Sequence, residues 1–327
     1  MLGCGTGPVD ASTVAVLRAF AIAVSLAGCT GMAPGETGGG IDASGGGSGD
    51  APAGGDAPAG LESGTLSVTW MHGSQSCAQN TDPEVQVFAY NATVHIIRQN
   101  KCKTFEAPFI YVIEGQTQAL MIDTGATNTA TLRDTVRGLI GTKPLIVGHS
   151  HAHGDHTASD SKFAGQANTT LVALTISSIQ TQFGIATWPT SPGMIDLGGR
   201  VLDVIAIPGH EATHIAFYDR KTGLLFTGDT LYPGLLFIND WATYRTSVGR
   251  LAQFVATHPI AHVLGAHIEM TATAKQNYPY GTTYQPNEHA LPLTAAQVTE
   301  LDAALTALGP TKPANPVAHD DFVIDPQ

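Results

Sequence analysis

The amino-acid sequence predicts a layered α/β domain in which helices cover two packed, mixed β-sheets. Three features of the pattern support this fold class. Short strand-like segments come first, strands alternating with helices follow, and the same order is then repeated. The chain has 327 residues, of which 43% are hydrophobic, and this is enough for one sizeable core. We therefore expect one domain over about residues 65–327.

The first half of this domain is rich in predicted strands. Alternating or β-branched segments predict strands at residues 66–70, 85–90, 93–97, 109–113, 119–122 and 144–148. The fourth and fifth of these form a predicted hairpin around residues 114–116. Between the last two strands, residues 128–140 predict a helix, because one face carries Leu132, Val136, Leu139 and Ile140.

The second half alternates more clearly between strands and helices. Predicted strands lie at residues 170–174, 201–207, 214–218, 224–226 and 261–264, and a short helix is predicted at 176–183. A longer helix is predicted from the N-cap Asp240 to Ala256. The last helix has Thr294 as its cap and Gln297 three residues on, a capping-box pattern, and it ends before Gly309-Pro310.

Residues 1–28 are predicted to be a leader that directs export. Arg18 precedes a short apolar run at residues 19–26, and Leu26-Ala27-Gly28-Cys29 resembles the cleavage site of a bacterial lipoprotein signal. In that interpretation Cys29 becomes the lipid-bearing first residue. The alternative is an ordinary secretory leader with an incidental cysteine. Either way the protein is expected outside the cytoplasm, in the periplasm or at the cell surface.

Residues 29–64 are predicted to be a disordered tether. Gly, Ala, Pro, Ser and Asp dominate this segment, which cannot bury enough apolar surface to offset the entropy lost on ordering. The chain has no apolar run of the roughly 18–20 residues that span a bilayer. Contact with a membrane is therefore expected only through a lipid anchor at Cys29.

The charge balance excludes one class of partner. The net charge is −12, and 15 basic residues face 27 acidic ones without any basic stripe. A nucleic-acid groove is therefore not expected, and the expected partner is a small-molecule substrate. The sequence does not predict an oligomeric state. In an exported chain, Cys77 and Cys102 are expected to form a disulfide, with two free buried thiols as the alternative.

The segment His151-Ala-His153-Gly-Asp155-His156 is the strongest chemical signal in the chain. It directly follows the apolar strand at 144–148, and Gly154 is expected to prevent a helix, so the polar side chains are predicted on a loop. Histidine with aspartate suits zinc or iron. Four other strands also end in a polar residue beside a small one, and these residues are Asp123, His210, Asp229 and His267. Together they predict a metal site that performs chemistry.

These five motifs resemble those of the metallo-β-lactamase-fold hydrolases, for which His-x-His-x-Asp-His is the signature. The resemblance runs in order from Asp123 to His267. It implies an αββα sandwich, two mixed sheets flanked by helices, with a two-metal site at its edge. It further implies the following roles: the first metal is held by His151, His153 and His210, the second by Asp155, His156 and His267, and Asp229 bridges the two. Asp123 is implied to orient the ligands from behind them.

Two zinc ions are the expected cofactors, with iron or manganese as alternatives. Two cations about 3.5–4 Å apart lower the pKa of water towards 7 and clamp the attacking and leaving oxygens. Typical zinc β-lactamases have Cys or Ser where Asp229 stands, whereas an Asp is similar to hydroxyacylglutathione-type thioesterases and lactonases. We therefore expect a metal-activated hydroxide to attack an ester, thioester, lactone or related carbonyl. The alternatives are a β-lactam hydrolase, an iron-dependent oxidoreductase on the same fold, and a non-catalytic metal-binding lipoprotein.

Beyond the metal ligands, the role of several residues is open. Asp155 and Tyr232 are the candidate catalytic residues, and Tyr232 either donates to the substrate's oxyanion or packs under the Pro233-Gly234 turn. His214 either lines the pocket or packs. His149 and His262 are competing ligand candidates, each less favoured than the assignment above. The loops at 183–194 and 277–289 are rich in aromatic residues and form either pocket walls or ordinary surface.

Overall fold

The computed structural model describes residues 60–327. The predicted leader, the lipidation site Cys29 and most of the predicted tether lie outside the described residues. At the other end of the tether, the amide of Glu62 donates to the carbonyl of Lys221 at 2.8 Å, and its carboxylate pairs with the ammonium of Lys221 at 2.9 Å. Contacts with the domain therefore begin slightly before the predicted boundary at residue 65.

The first half of the domain forms one sheet and four helices. After a 3₁₀ turn at Cys77–Gln79, the strands are β1 (Val85–Asn91), β2 (Val94–Gln99), β3 (Phe109–Glu114), β4 (Ala119–Ile122), β5 (Leu145–Gly148) and β6 (Thr169–Leu171). The helices are α1 (Thr131–Ile140), α2 (Gly154–Thr157), α3 (Asp160–Phe163) and α4 (Ile176–Phe183). The strands lie in the sheet in chain order, antiparallel from β1 to β4 and parallel from β4 to β6.

The second half forms a further sheet, a small third sheet and two long helices. Its strands are β7 (Gly193–Asp196), β8 (Val201–Ala206), β9 (Ile215–Asp219), β10 (Leu224–Gly228), β11 (Leu235–Ile238), β12 (His262–Gly265), β13 (Pro292–Leu293), β14 (Val317–Ala318) and β15 (Val323–Pro326). The helices are α5 (Trp241–Val255) and α6 (Ala295–Leu308). The second sheet has the order β13-β12-β10-β9-β8-β7, and the third has the order β11-β15-β14.

The two large sheets pack face to face, and helices cover both outer faces. A core of buried side chains from both sheets, including Ile96, Leu120, Val204 and Phe226, fills the space between them. On the outside of the first sheet, α1 packs through Leu132, Val136 and Ile140. On the outside of the second, α5 and α6 cover another apolar cluster. The αββα sandwich expected from the sequence is thereby confirmed.

Two local predictions were wrong. Residues 66–70 do not form a strand, because the side chain of Gln86 bonds this segment, accepting from the Met71 amide and donating to the Thr69 carbonyl, in place of a backbone ladder. Gly154 does not prevent a helix either: it begins the single turn α2, which carries Asp155 and His156. The first residues of a helix need no intrahelical partner for their amides, so glycine is tolerated there.

Cys77 and Cys102 form a disulfide, as predicted for an exported chain. The bond closes a loop across a sequence separation of 25 residues. Because a cross-link restricts the unfolded chain, we expect the double variant Cys77→Ser/Cys102→Ser to lose about 2–4 kcal/mol of unfolding free energy. Chemical denaturation of the oxidised wild type and of this variant tests the prediction. Equal midpoints of unfolding in the two proteins would contradict it.

Within residues 60–327, no helix combines the length and the apolar character that crossing a membrane requires.

Candidate metal centre

The predicted ligands meet because several strands end at one edge of the sandwich. The strands β4 and β5 run parallel, as do β10 and β12, and each is followed at once by a polar segment. His151 and His153 follow β5, and α2 then presents Asp155 and His156. The other three residues of the set follow strands of the second sheet, and these are His210 after β8, Asp229 after β10 and His267 after β12.

Two glycines allow the close approach that this edge requires. Gly209 has φ +136°, and a Cβ at this position would lie 2.4 Å from the Cα of Tyr244 in α5. Gly228 has φ +51°, and its Cβ would lie 2.6 Å from Nε2 of His214. Both positions combine a positive φ with backbone or ring atoms in the space of a side chain, so any residue other than glycine is disfavoured. His210 and Asp229 directly follow these glycines and are positioned by them.

The first donor cluster consists of three histidines. The ring nitrogens His151 Nε2 and His153 Nδ1 lie 3.0 Å apart, and His210 Nε2 is also 3.0 Å from His153 Nδ1. His151 and His210 are buried, whereas His153 is partly exposed. Three imidazole nitrogens thus converge on one point. The cluster is open to solvent on the side of His153.

The second donor cluster contains two histidines and two aspartates. His156 Nε2 lies 3.2 Å from Asp155 Oδ2 and 3.4 Å from His267 Nε2. His267 Nε2 lies 3.4 Å from both Asp155 Oδ2 and Asp229 Oδ1. Donors bound tetrahedrally to a metal at about 2.0–2.1 Å would be about 3.3–3.4 Å apart. The spacing and the chemistry of these donors therefore fit a transition-metal ion.

Asp229 lies between the two clusters and presents one oxygen to each. Its Oδ1 faces the second cluster, whereas its Oδ2 lies 3.8 Å from His151 Nε2 and 3.6 Å from His210 Nε2 of the first. Oδ1 is buried and has no hydrogen-bond partner among residues 60–327. A buried carboxylate oxygen without a donor is costly unless a cation satisfies it. This oxygen is the clearest sign in the structure that the site is built for metal.

Contacts behind the ligands set the orientation of their rings. His156 Nδ1 lies 2.9 Å from Asp123 Oδ2, His210 Nδ1 lies 2.7 Å from the carbonyl of Phe237, and His267 Nδ1 lies 3.2 Å from the carbonyl of Glu106. Each contact occupies Nδ1 and leaves Nε2 directed into a cluster, as is usual for metal-binding histidines. Asp123 thus lies behind His156, and its role in orienting the ligands stays a prediction.

Asp123 is itself held by its neighbour in space, Ser150. The amide and the hydroxyl of Ser150 donate to Asp123 Oδ1 and Oδ2 at 2.7 and 2.8 Å. The backbone of Asp123 has φ +70°, a left-handed conformation that Asp tolerates better than most residues. Ser150 and the two carbonyls above were not predicted from the sequence. Only Ser150, which directly precedes His151, carried a side-chain signal that could have identified it.

We expect Asp123→Asn to weaken zinc binding by about 10–100-fold, because the amide supports the His156 tautomer less well than the carboxylate does. Competition with a chromophoric chelator measures this affinity. The matched control is Asp160→Asn, whose carboxylate contacts Thr124 and His149 instead of a ligand. Equal affinities in the two variants would contradict a specific role for Asp123.

The carboxylates determine which histidines carry protons before metal binds. Burial alone would lower the pKa of His267, but Asp229 and Asp155 raise it to about 9. Burial likewise opposes the charge on His156, yet Asp229 and Asp123 raise its pKa well above the ordinary value. Burial and the neighbouring imidazoles lower the pKa of His151. His151 is therefore ready to bind metal at neutral pH, whereas His156 and His267 must first lose protons.

It follows that zinc binding at pH 7 should release protons from His156 and His267. A ligand whose pKa is raised to about 9 stays protonated below that value, so the affinity of the second cluster should rise with pH up to about 9. Calorimetric titrations in two buffers of different ionisation enthalpy measure the protons released. Zinc binding with the same heat in both buffers would show that these histidines are neutral beforehand.

The competing histidines lie outside the clusters. His149 is buried, and its Nε2 lies 2.9 Å from Asp160 Oδ1. His262 begins β12 at the opposite end of the strand from His267 and lies against Tyr90. His214 is buried behind His151, with the two rings stacked at 4.6 Å, so of its two alternatives the structure shows packing.

Tyr232 adjoins the site, but its hydroxyl is engaged elsewhere. The ring lies 5.5 Å from that of His267, while the hydroxyl donates to the Leu235 carbonyl and lies 3.2 Å from Glu269 Oε2. These contacts correspond to the packing alternative. Donation to an oxyanion stays a prediction, and it requires the hydroxyl to leave both partners.

The two aromatic loops differ in their position. Residues 277–289 contribute Tyr278, Tyr280 and Gln285 to a cleft beside His267. In the loop at 183–194, Phe183 is buried in the core between the sheets and Trp188 packs against that core. The first loop therefore contributes to the cleft beside His267, whereas Phe183 at the start of the second loop lines a separate small cavity at His151.

Comparison with known proteins gives a consistent result. The family model described as the Metallo-beta-lactamase superfamily matches residues 104–176 and 178–283, more than half of the chain. The chain is 27% identical to the acyl-coenzyme A thioesterase MBLAC2 of Gallus gallus over 49% of this chain and 72% of that protein. It is 29% identical to the hydroxyacylglutathione hydrolase of Methylobacillus flagellatus over 64% of this chain and 79% of that protein. A solved metallo-beta-lactamase from Pontibacter korlensis is 16% identical, with a TM-score of 0.47 over 68% of this chain and 99% of that one.

Proposed function

This chain belongs to the metallo-beta-lactamase superfamily and is a metal-dependent hydrolase of that superfamily, and on that premise we propose that it holds two zinc ions and hydrolyses a carboxylic ester, thioester, lactone or related amide. The position of Asp229 carries the proposal. Its two oxygens face different donor clusters, so a single side chain joins them into one centre. The names of two relatives, an acyl-coenzyme A thioesterase and a hydroxyacylglutathione hydrolase, favour an acyl conjugate as the substrate.

The donors divide between the two ions as the clusters do. His151, His153 and His210 would hold one ion, and Asp155, His156 and His267 the other, with Asp229 shared between them. When bound, two such ions supply Lewis acidity and a lowered pKa for water. Ser150 adjoins the clusters, but its side chain is buried and its hydroxyl donates to Asp123. We therefore assign the role of nucleophile to water and not to the Ser150 hydroxyl.

Asp155 marks the side from which water and substrate approach. Its side chain is 23% exposed, compared with 9% for Asp229. Burial would raise the pKa of Asp155, but hydrogen bonds to His156 and His267 lower it, so the carboxylate stays ionised. An ionised carboxylate at the open side accepts a hydrogen bond from water and orients it. We therefore assign Asp155 the role of aligning water as well as binding metal.

The test is a panel of ester, thioester, lactone and β-lactam substrates with the zinc-loaded chain. We expect hydrolysis of acyl esters or thioesters, loss of that activity in His267→Ala, and normal activity in the matched control His262→Ala. Preference for β-lactams would instead identify a β-lactam hydrolase. Oxygen uptake by the iron-loaded chain without any hydrolysis would identify an oxidoreductase. Bound zinc without turnover of any substrate would leave a non-catalytic metal-binding protein.

A further inference from the structure

A small cleft that is partly open to solvent lies beside His267. Its polar and aromatic lining includes Lys101, Glu106, Glu269, Tyr278, Tyr280 and Gln285. Two contacts join it to the metal centre. The Glu106 carbonyl lies 3.2 Å from His267 Nδ1, and Tyr232, which packs against the His267 ring, bonds Glu269 Oε2. The cleft therefore adjoins His267 and is separated from the metal centre by this one ligand.

Three side chains, Gln285, Glu269 and Glu106, supply acceptors to the cleft, and among the described residues the oxygen Gln285 Oε1 is buried without a donor. Gln285 is only 4% exposed, and its Oε1 has no partner in the described part of the chain. Glu269 uses Oε2 to accept from the Leu235 amide and the Tyr232 hydroxyl, which leaves Oε1 free. Among the described residues, the carboxylate of Glu106 takes part in neither a hydrogen bond nor an ion pair. A buried acceptor without a donor costs free energy that a ligand can recover.

The one lysine in the lining interacts with these carboxylates only at longer range, and burial lowers its pKa to about 8. Lys101 is 2% exposed, and its ammonium donates to the Phe105 carbonyl at 2.8 Å without forming an ion pair within the described chain. Two carboxylates and one ammonium leave an excess of negative charge. The rings of Phe105 and Tyr280 stand edge to face at 5.0 Å at the cleft, and aromatic faces also attract cations.

We propose that this cleft binds a primary ammonium group, so that the preferred substrates of the hydrolase are esters or thioesters that carry an amine. An ammonium group has three N–H donors and no acceptor, which suits the unpaired Gln285 Oε1 and the two carboxylates of the lining. A carboxylate in the same place would face Glu106 and Glu269 at close range. The choice of substrate rests on the proposed function, whereas binding of the ammonium group does not.

The kinetic test uses three esters of equal chain length: ethyl 6-aminohexanoate, ethyl hexanoate and monoethyl adipate. We expect kcat/KM for the ammonium ester to exceed that for the uncharged ester by about 10-fold or more. In Glu269→Gln this ratio should fall towards one, and in the exposed control Glu300→Gln it should match the wild type. Equal rates for all three esters would overturn the inference and leave the proposed function intact. Preference for the adipate, lost in Lys101→Met, would show an anion site and overturn it as well.

A binding test separates this inference from hydrolysis. Calorimetric titration of the full chain with n-butylammonium chloride and with n-butanol compares the charged probe with its neutral counterpart. We expect butylammonium to bind to the wild type more tightly than butanol does, and this difference to be lost in Glu269→Gln. If no ester, thioester, lactone or amide is hydrolysed but this difference is found, the proposed function is wrong and the ammonium site stands. If butylammonium binds no better than butanol, the ammonium site is wrong.

Discussion

Replacing Asp229 with Asn is expected to lower kcat/KM for the hydrolysed substrate by about 1000-fold or more. The carboxylate presents Oδ1 to one donor cluster and Oδ2 to the other, and an amide can offer an oxygen to only one of them. The negative charge that offsets two dications is lost as well. A metal centre contributes several kcal/mol to the stabilisation of a transition state, and about 4 kcal/mol corresponds to three orders of magnitude in rate.

Steady-state kinetics on the zinc-loaded variant measure this effect, and Asp203→Asn is the matched control. Asp203 is as buried as Asp229, but it pairs with Arg220 in the turn after β9, away from both clusters. The control should retain most of the activity. If Asp229→Asn retained more than a tenth of the wild-type kcat/KM, a bridging role for Asp229 would be ruled out.

Asp219→Asn is expected to lower the free energy of unfolding by about 3–5 kcal/mol, the largest loss of stability that we expect for a single substitution. Asp219 and Arg200 are buried and form a two-point ion pair, with Nε–Oδ1 at 3.1 Å and Nη2–Oδ2 at 2.5 Å. The same guanidinium donates to the Thr93 hydroxyl and the Glu114 carbonyl of the first sheet. Without Asp219 the guanidinium stays buried between the two sheets and unpaired.

Urea denaturation of the purified variant measures the loss. The exposed pair of Lys275 and Asp320 supplies the control, because Asp320→Asn removes a charge of the same kind in water and should change stability by about 0.5 kcal/mol or less. Equal midpoints for the two variants would show that the Arg200–Asp219 pair contributes no more than a surface pair.

Local sequence patterns predicted most of the longer helices and strands. Helix α5 begins after its cap Asp240 as expected, and α6 has the capping box of Thr294 and Gln297, because both signals lie within one turn of the helix they start. The candidate metal ligands could be predicted from the sequence for a similar reason. Each lies in a segment that comes shortly after an apolar strand, and parallel strand ends meet at one edge of a sheet.

The parts that were missed depend on contacts between residues distant in sequence. The third sheet pairs β11 with β15 across more than eighty residues of chain, and a strand of four residues carries little periodicity of its own. The carbonyls of Glu106 and Phe237 orient His267 and His210, yet a backbone group leaves no mark in the sequence. The cleft beside His267 likewise joins segments near residues 101–106, 235, 269 and 278–285.

The most direct test of a two-metal centre is the amount of zinc bound per chain. Elemental analysis of the full chain, dialysed after zinc loading, should find two zinc ions in the wild type. The variant Asp155→Asn/His267→Ala should retain one ion, because His151, His153 and His210 still form the first cluster. A single ion in the wild type, or loss of all zinc together in the variant, would contradict two joined clusters held by seven residues.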